Sequence, residues 1–240
     1  MKRIIKIFLI LLLVGMAVIA AVPFLKEKRE ERKYEKDFKN IQESVTEKRS
    51  DVNDLVKKNK DCIGYVEIPG TTISYPVMQT KDNPDFYLNH DFNRNYSFYG
   101  TPYLSAYCNV EKSDNLIIYG HNINGGKMFG ALEQYKDKEF FNKHRKIYFT
   151  TDKKRKYEVF AVMSVNIHEF EYWKFVMARD KEEYDEFVDK VEEHSLWRQG
   201  DKPKYGEQML MLSTCDNGKG DDWRIVVIGK EIWHYSNRDV

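Results

Sequence analysis

The 240-residue chain contains no CxxC pair, no HExxH, no Walker loop and no EF-hand pattern. Metals and nucleotides therefore have no evident site in it, and no cofactor is expected. Its three cysteines, Cys62, Cys108 and Cys215, are odd in number and far apart, which argues against a disulfide framework and leaves at least one thiol free. Cys62 and Cys108 read as buried small hydrophobes, with a disulfide between them as the other reading. A surplus of one charge sign is also lacking: 39 basic against 38 acidic residues give a formal charge of +1. No overall field gathers nucleic acid, which is not an expected partner. Internal repeats and low-complexity segments are absent.

Long hydrophobic runs are missing except for one. From Ile7 to Leu25 there is no charged residue, and Lys2, Arg3 and Lys6 precede the run. About 19 apolar residues suffice to cross a hydrocarbon core roughly 30 Å thick, so residues 1–25 read as a membrane signal-anchor segment. A cleaved signal peptide is the competing reading, because Val18-Ile19-Ala20 before Ala21 is a tolerable small-residue site. Charge does not fix the orientation, since Lys26, Lys28, Arg29, Arg32 and Lys33 follow the span as closely as the first lysines precede it.

Residues 26–60 contain neither glycine nor proline, are rich in lysine and glutamate, and place Tyr34, Phe38, Ile41, Val45, Val52 and Leu55 at spacings of three, four and seven. That pattern predicts an amphipathic helical extension whose apolar stripe packs on the following domain. From residue 61 to 240 the character changes to short β-branched and aromatic runs punctuated by Gly, Pro, Asn and Asp, as in an antiparallel sheet or barrel. The expected strands are Ile63 to Ile68, Thr72 to Val77, Asn115 to Tyr119, Lys146 to Thr151, Tyr157 to Asn166, Gln208 to Thr214 and Arg224 to Trp233. Helices are expected at Lys127 to Tyr135, after a Gly-Gly break, and at Lys181 to Leu196, where Tyr184, Phe187, Val188 and Val191 share a face.

The strand beginning at Gln208 ends at Cys215, a polar turn follows, and a second strand starts at Arg224. If those strands pair, thiol and guanidinium become neighbours, and the positive charge favours both a thiolate and a developing oxyanion. Alone, the segment is equally consistent with an inert buried cysteine and a surface arginine. A second apolar strand, Asn115-Leu-Ile-Ile-Tyr, runs into Gly120 and presents His121 at its end, where an imidazole can take a thiol proton and later protonate a leaving amine. The remaining histidines, His90, His144, His168, His194 and His234, lack that context and read as structural or solvated. Eight residues separate Cys215 from Arg224, too many for a phosphate-cradling cysteine loop, and the histidine precedes the cysteine, opposite to papain-like order.

Taken in order, Tyr119-Gly120-His121-Asn122, Leu212-Ser213-Thr214-Cys215 and Trp223-Arg224-Ile225-Val226-Val227 behind an N-terminal anchor resemble the sortase family. The likeness is strongest to class B, through the helical extension, the segment Phe86-Tyr87-Leu88-Asn89-His90-Asp91-Phe92 and the long helix before the cysteine strand. It spans roughly residues 30 to 235. Met211 stands where the family pattern T-L-x-T-C begins with threonine. The resemblance implies a mostly β protein, a closed eight-stranded antiparallel barrel. It also implies a cysteine transpeptidase that cleaves a C-terminal sorting signal (NPxTx or SPxTG-like) of exported proteins after Thr through a thioacyl intermediate. The acyl group then passes to a peptidoglycan precursor or cross-bridge amine, or to a pilin lysine. By position Cys215 is the implied nucleophile, His121 the acid/base and Arg224 the holder of substrate and oxyanion, with Ser213, Thr214 and Asn122 as accessory candidates. The implied location is the cell membrane, single-pass, with the catalytic domain on the cell-wall side. A free thiol is mostly protonated at neutral pH, so this chemistry needs Arg224 or a protonated His121 to favour the thiolate. Two alternatives use the same residues differently: a secreted cysteine endopeptidase passing the acyl group to water, and an anchored adhesion module presenting Tyr172, Trp173 and Trp233 as a binding face.

Overall fold

The computed structural model describes residues 2–47 and 52–235, in two compact units, Met1–Ser44 and Val45–Val240. The first unit is built on helix α1 (Lys2–Glu47), one continuous element that carries Pro23 inside it. Its segment Arg3–Lys33 is the one helix among the described residues long and apolar enough to cross a membrane, with a mean hydropathy of 2.9 over its most apolar window. The apolar side chains from Ile4 to Leu25 are exposed. Within the expected amphipathic stripe, the side chains of Tyr34, Ile41 and Val45 lie outside the described residues.

The second unit opens with helix α2 (Val52–Lys58), which buries Val52 and Leu55 of that stripe. Just beyond it, the Asn59 amide donates to the Tyr87 hydroxyl at 2.8 Å and to the Phe92 carbonyl at 2.6 Å. The barrel is formed by β1 (Cys62–Glu67), β2 (Ser74–Met78), β3 (Tyr103–Leu104), β4 (Asn115–Tyr119), β7 (Lys146–Thr150), β8 (Lys154–Asn166), β10 (Met209–Cys215) and β11 (Trp223–Tyr235), with β9 (Ser195–Arg198) flanking β8. Strand order around the ring is β11-β10-β4-β3-β2-β1-β7-β8, and β8 pairs with β11 to close it. Closure removes the open edges that would otherwise invite pairing with other chains.

The expected eight-stranded barrel is therefore present, but not every pairing is antiparallel. Six of the ring pairings are antiparallel, while β2–β3 and β4–β10 run parallel. The physical reason lies in the connections. A tight turn joins β10 to β11 and forces an antiparallel hairpin, whereas some ninety residues separate β4 from β10, long enough for a crossover that delivers them in the same direction. Their sequences suit such a position. Met209 to Thr214 are all buried, as are Asn115 to Ile118, in the near-continuous apolar runs expected of strands covered on both faces. Each such Leu or Ile contributes about 1.5–3 kcal/mol of burial.

Two helix expectations need correction. The stretch Lys127 to Tyr135 is not an α-helix: β5 (Asn122–Ile123) pairs with β6 (Lys127–Met128), and a 3₁₀ turn follows at Gly130–Lys136. Gly125 and Gly126, at φ of 76° and 73°, reverse the chain, and Met128 itself is at 50°, so no regular helix passes through. Phe129, Leu132 and Tyr135 of this stretch are buried in the core all the same. The second helix, α4 (Lys181–Glu193), has the expected buried face of Tyr184, Phe187, Val188 and Val191 and is capped by the Asp180 carboxylate accepting the Glu183 N–H. It stops short of Leu196 because Ser195–Arg198 pairs with β8 as β9. A short helix, α3 (Lys138–Lys143), capped by Asp137, was not legible in the apolar spacing. Cys62 and Cys108 are buried free thiols, each pushed up to about 11 by loss of hydration despite compensating hydrogen bonds.

The connection from β2 to β3 folds on itself through Gly100, at φ of 60°. A Cβ there would collide with the backbone carbonyls of Leu88 and Tyr87. Gly100→Ala is therefore expected to lower stability by about 1–3 kcal/mol. Urea unfolding checks this, and a wild-type midpoint would contradict it.

Candidate active site

The parallel β4–β10 register pairs Tyr119 with Ser213, so the residues that follow each strand emerge side by side at one mouth of the barrel. Gly120 donates its N–H to the Ser213 carbonyl at 3.1 Å, and the Thr214 hydroxyl donates to the Gly120 carbonyl at 2.7 Å. His121 is thereby fastened beside the end of the cysteine strand. On the other side, β10 pairs with β11 and Cys215 stands directly across from Arg224. Cys215, His121 and Arg224 line one groove of about 1010 Å³, along with Tyr119, Tyr172 and Trp173. The three side chains named from sequence thus share a single cavity.

The Cys215 side chain is only partly buried, which leaves the thiol open to the groove. The His121 Nε2 lies 2.8 Å from the Leu88 carbonyl oxygen. A carbonyl only accepts, so Nε2 carries the hydrogen and Nδ1 is the nitrogen left to receive a proton. Phe98 lies parallel to the imidazole, with ring centroids 6.5 Å apart. The Arg224 Nη1 donates to the carbonyls of Asp221 at 2.6 Å and Trp223 at 2.9 Å, two contacts that orient the guanidinium. Its charge reaches the groove wall. Burial pushes the Tyr172 hydroxyl up to about 12, while the hydrogen bond to Ser213 and the Arg224 charge pull the other way and Cys215 adds to the rise.

Ser213, two residues before Cys215, is buried and shares a 2.7 Å hydrogen bond with the Tyr172 hydroxyl. Met211, next along the same strand face, is fully buried with its sulfur 3.5 Å from the Asn115 amide, so at this position the chain holds a packing residue. Asn122 donates through Nδ2 to the Cys215 carbonyl at 2.7 Å and to Glu133 Oε1 at 2.7 Å. The other histidines are engaged elsewhere. His90 stacks on Phe86, His144 accompanies the end of α3 and His194 the end of α4, and His168 is exposed near Asp222. The side chain of His234 lies outside the described residues, as does that of Trp233. Among the described residues no group of three or more His, Cys, Asp or Glu side chains is placed to hold a metal ion.

Several contributors escaped sequence reasoning. The Leu88 carbonyl has no side-chain signature at all. Asp216 adjoins Cys215, but only the fold shows that its carboxylate is fully buried, with Lys136 Nζ at 2.5 Å and Ser164 Oγ at 2.7 Å. Burial alone would raise the Asp216 carboxyl. The hydrogen bonds from Lys136 and Ser164, the Lys136 charge and the Gly218 N–H outweigh it and hold the group below the usual carboxylate range.

Comparison with known proteins places the whole barrel in a family. The family model described as the sortase domain matches residues 66–232. Sortase B of Staphylococcus aureus (strain NCTC 8325 / PS 47) is 29% identical over 241 residues, covering 97% of this chain and 98% of that protein. Sortase B of Listeria monocytogenes serovar 1/2a (strain ATCC BAA-679 / EGD-e) is 33% identical over 187 residues, covering 77% and 75%. Among solved structures, a Staphylococcus aureus sortase B–substrate complex superposes with a TM-score of 0.75 at 27% identity, covering 87% of this chain and 98% of that one. A sortase B complexed with triglycine gives 0.74 at 29%, covering 86% and 98%.

The lowered Asp216 carboxyl carries a pH signature. Its ion pair stabilises the fold fully above the ordinary aspartate value of about 3.9 and loses that contribution as pH falls through the lower folded value. The stability advantage of the wild type over Asp216→Asn is thus expected to stay level from neutral pH down to about 5 and to shrink below about 4. Urea unfolding of both proteins across that range checks it, and an undiminished gap at the acid end would contradict it.

Proposed function

Because this chain belongs to the sortase family and is an enzyme of the class B sortase type, we propose that Cys215, His121 and Arg224 carry out its transpeptidation. The substrate in this reading is an exported protein with a C-terminal sorting signal of the NPxTx or SPxTG kind. The Cys215 thiolate attacks the carbonyl carbon of the signal's threonine, and the oxyanion that forms is met by the Arg224 guanidinium. His121, having taken the Cys215 thiol proton at Nδ1, delivers it to the departing amine as the C–N bond breaks, leaving a thioester between threonine and Cys215. An amine of peptidoglycan or its precursor then attacks the thioester and gives a proton to His121, a new amide forms as the C–S bond breaks, and that proton returns to the Cys215 sulfur.

The observation that carries this reading is the shared groove: Cys215 and Arg224, paired across the β10–β11 hairpin, line one cavity with His121, which lies some ninety residues earlier and follows the adjoining strand β4. The relatives solved with a substrate and with triglycine support a peptide donor and an amine acceptor. In the same reading, residues 1–25 anchor the protein in the membrane, residues 26–60 form a helical extension and residues 61–240 work outside the cell. The apolar start of α1 supports the anchor, although a signal sequence passes the same test of length and composition. N-terminal sequencing of the mature protein separates the two, an intact Met1 end being the outcome expected here.

Cys215→Ala is expected to abolish cleavage of a sorting-signal peptide while leaving the unfolding midpoint close to wild type; retained turnover would defeat the assignment. With wild-type enzyme, adding an oligoglycine or diaminopimelate-type amine should shift the product from free acid to amide. Free acid alone, whatever the amine, would mean an endopeptidase.

A further inference from the structure

Behind the groove, a second set of polar side chains closes a circuit around the reacting pair. The Asn122 amide binds the Cys215 carbonyl and Glu133 Oε1, each at 2.7 Å; Glu133 Oε2 binds Lys136 Nζ at 2.6 Å; and Lys136 Nζ binds Asp216 Oδ1 at 2.5 Å. Asn122 directly follows His121, and Asp216 directly follows Cys215. The chain of contacts therefore starts beside the imidazole, passes through the 3₁₀ turn Gly130–Lys136 and returns to the residue after the nucleophile. None of Asn122, Glu133, Lys136 and Asp216 lines the groove, so none is arranged to touch substrate. The 3₁₀ turn is itself tied down, because the Trp197 indole N–H donates to the Lys136 carbonyl at 3.0 Å.

We propose that Asn122, Glu133, Lys136 and Asp216 are positioning residues that hold Cys215 and His121 at their working separation from outside the groove. This rests on the transpeptidase reading above. A buried carboxylate paired with a lysine is weak as a stabilising device, since desolvation offsets most of the attraction, but it is directional and fixes register. One backbone hydrogen bond, Gly120 to Ser213, and one from the Thr214 hydroxyl to the Gly120 carbonyl already join the two strand ends on the barrel side. The circuit adds a second fastening on the far side, where the chain leaves the sheet for the 216–222 turn. Two fastenings on opposite sides leave the Cys215 and His121 backbones little freedom to rotate apart. Displacement of a reacting group by about 1 Å can cost about 10²-fold in rate, which gives such a clamp a catalytic value beyond stability.

The test uses the full chain with Lys136→Met paired with Asp216→Asn, so that no buried charge is stranded, and separately Asn122→Ala, which strands none. In each, kcat for peptide cleavage should fall about 10- to 100-fold while KM stays within about twofold, and Lys136→Arg alone should retain most of the wild-type kcat. Combining all three substitutions should cost little more than the worse of the two component variants, as expected of a single circuit. Alkylation of Cys215 by iodoacetamide is read in parallel and needs no substrate: the variants should slow toward the rate of His121→Ala. Wild-type kcat and alkylation in folded variants, a rise in KM alone, or fully additive losses would overturn the proposal. Absence of peptide turnover in the wild type would count against the transpeptidase reading instead, and the alkylation rates would still decide the clamp.

Discussion

The parallel pairing of β4 with β10 is the constraint on which the rest of the molecule depends. In a barrel of strictly antiparallel neighbours, the ends of these two strands would lie at opposite mouths, and His121 and Cys215 would be separated by the length of a strand. Parallel alignment brings both C-terminal ends to the same rim. The antiparallel β10–β11 hairpin then adds Arg224 at that rim, because a strand that turns back begins where its partner stops. One parallel and one antiparallel junction flanking a single strand are enough to gather three residues from three strands. Burial on both faces holds β10 there, and its run of apolar residues has no other stable environment.

Around the rim, polar groups are matched in a way that keeps the groove defined. Tyr172 satisfies Ser213, Thr214 satisfies the Gly120 carbonyl, and Tyr103 donates to Asp85 at 3.1 Å on the opposite wall. Unpaired, each buried hydroxyl would cost about 1–3 kcal/mol. Paired, they hold the Tyr103 and Tyr172 rings in the wall of the groove that Cys215 also lines. Cys215 is partly exposed among buried neighbours and lines the groove without opening the core. The other two cysteines illustrate the contrast, since both are sealed in the protein interior, where burial disfavours the thiolate.

Much of this was readable from residues alone. The seven strands expected from β-branched runs and turn residues correspond to β1, β2, β4, β7, β8, β10 and β11, with ends displaced by at most a few residues. The exception among regular elements is instructive. Lys127 to Tyr135 has helical spacing of apolar residues, yet glycines with positive φ and a buried surround turn it into a short strand and a 3₁₀ turn. Apolar periodicity reports which positions are buried, and a turn enclosed by the core buries them as readily as a helix face does. Strands of two residues, such as β3 and β5, carry no periodicity to detect.

The sequence by itself determined the apolar N-terminal span and the β character of the remainder, and it singled out Cys215, His121 and Arg224 as candidates, because each depends on local composition or on a strand running into a turn. Tertiary structure alone decided which strand ends meet, since the pairing of β4 with β10 is set by a crossover of some ninety residues, and the apolar runs of the two strands report burial without naming a partner. It alone also revealed the Leu88 carbonyl at His121 and the buried Asp216–Lys136 pair, contacts whose members lie 33 and 80 residues apart. Their energy comes from removal of water around both partners at once, and only the folded chain brings that about.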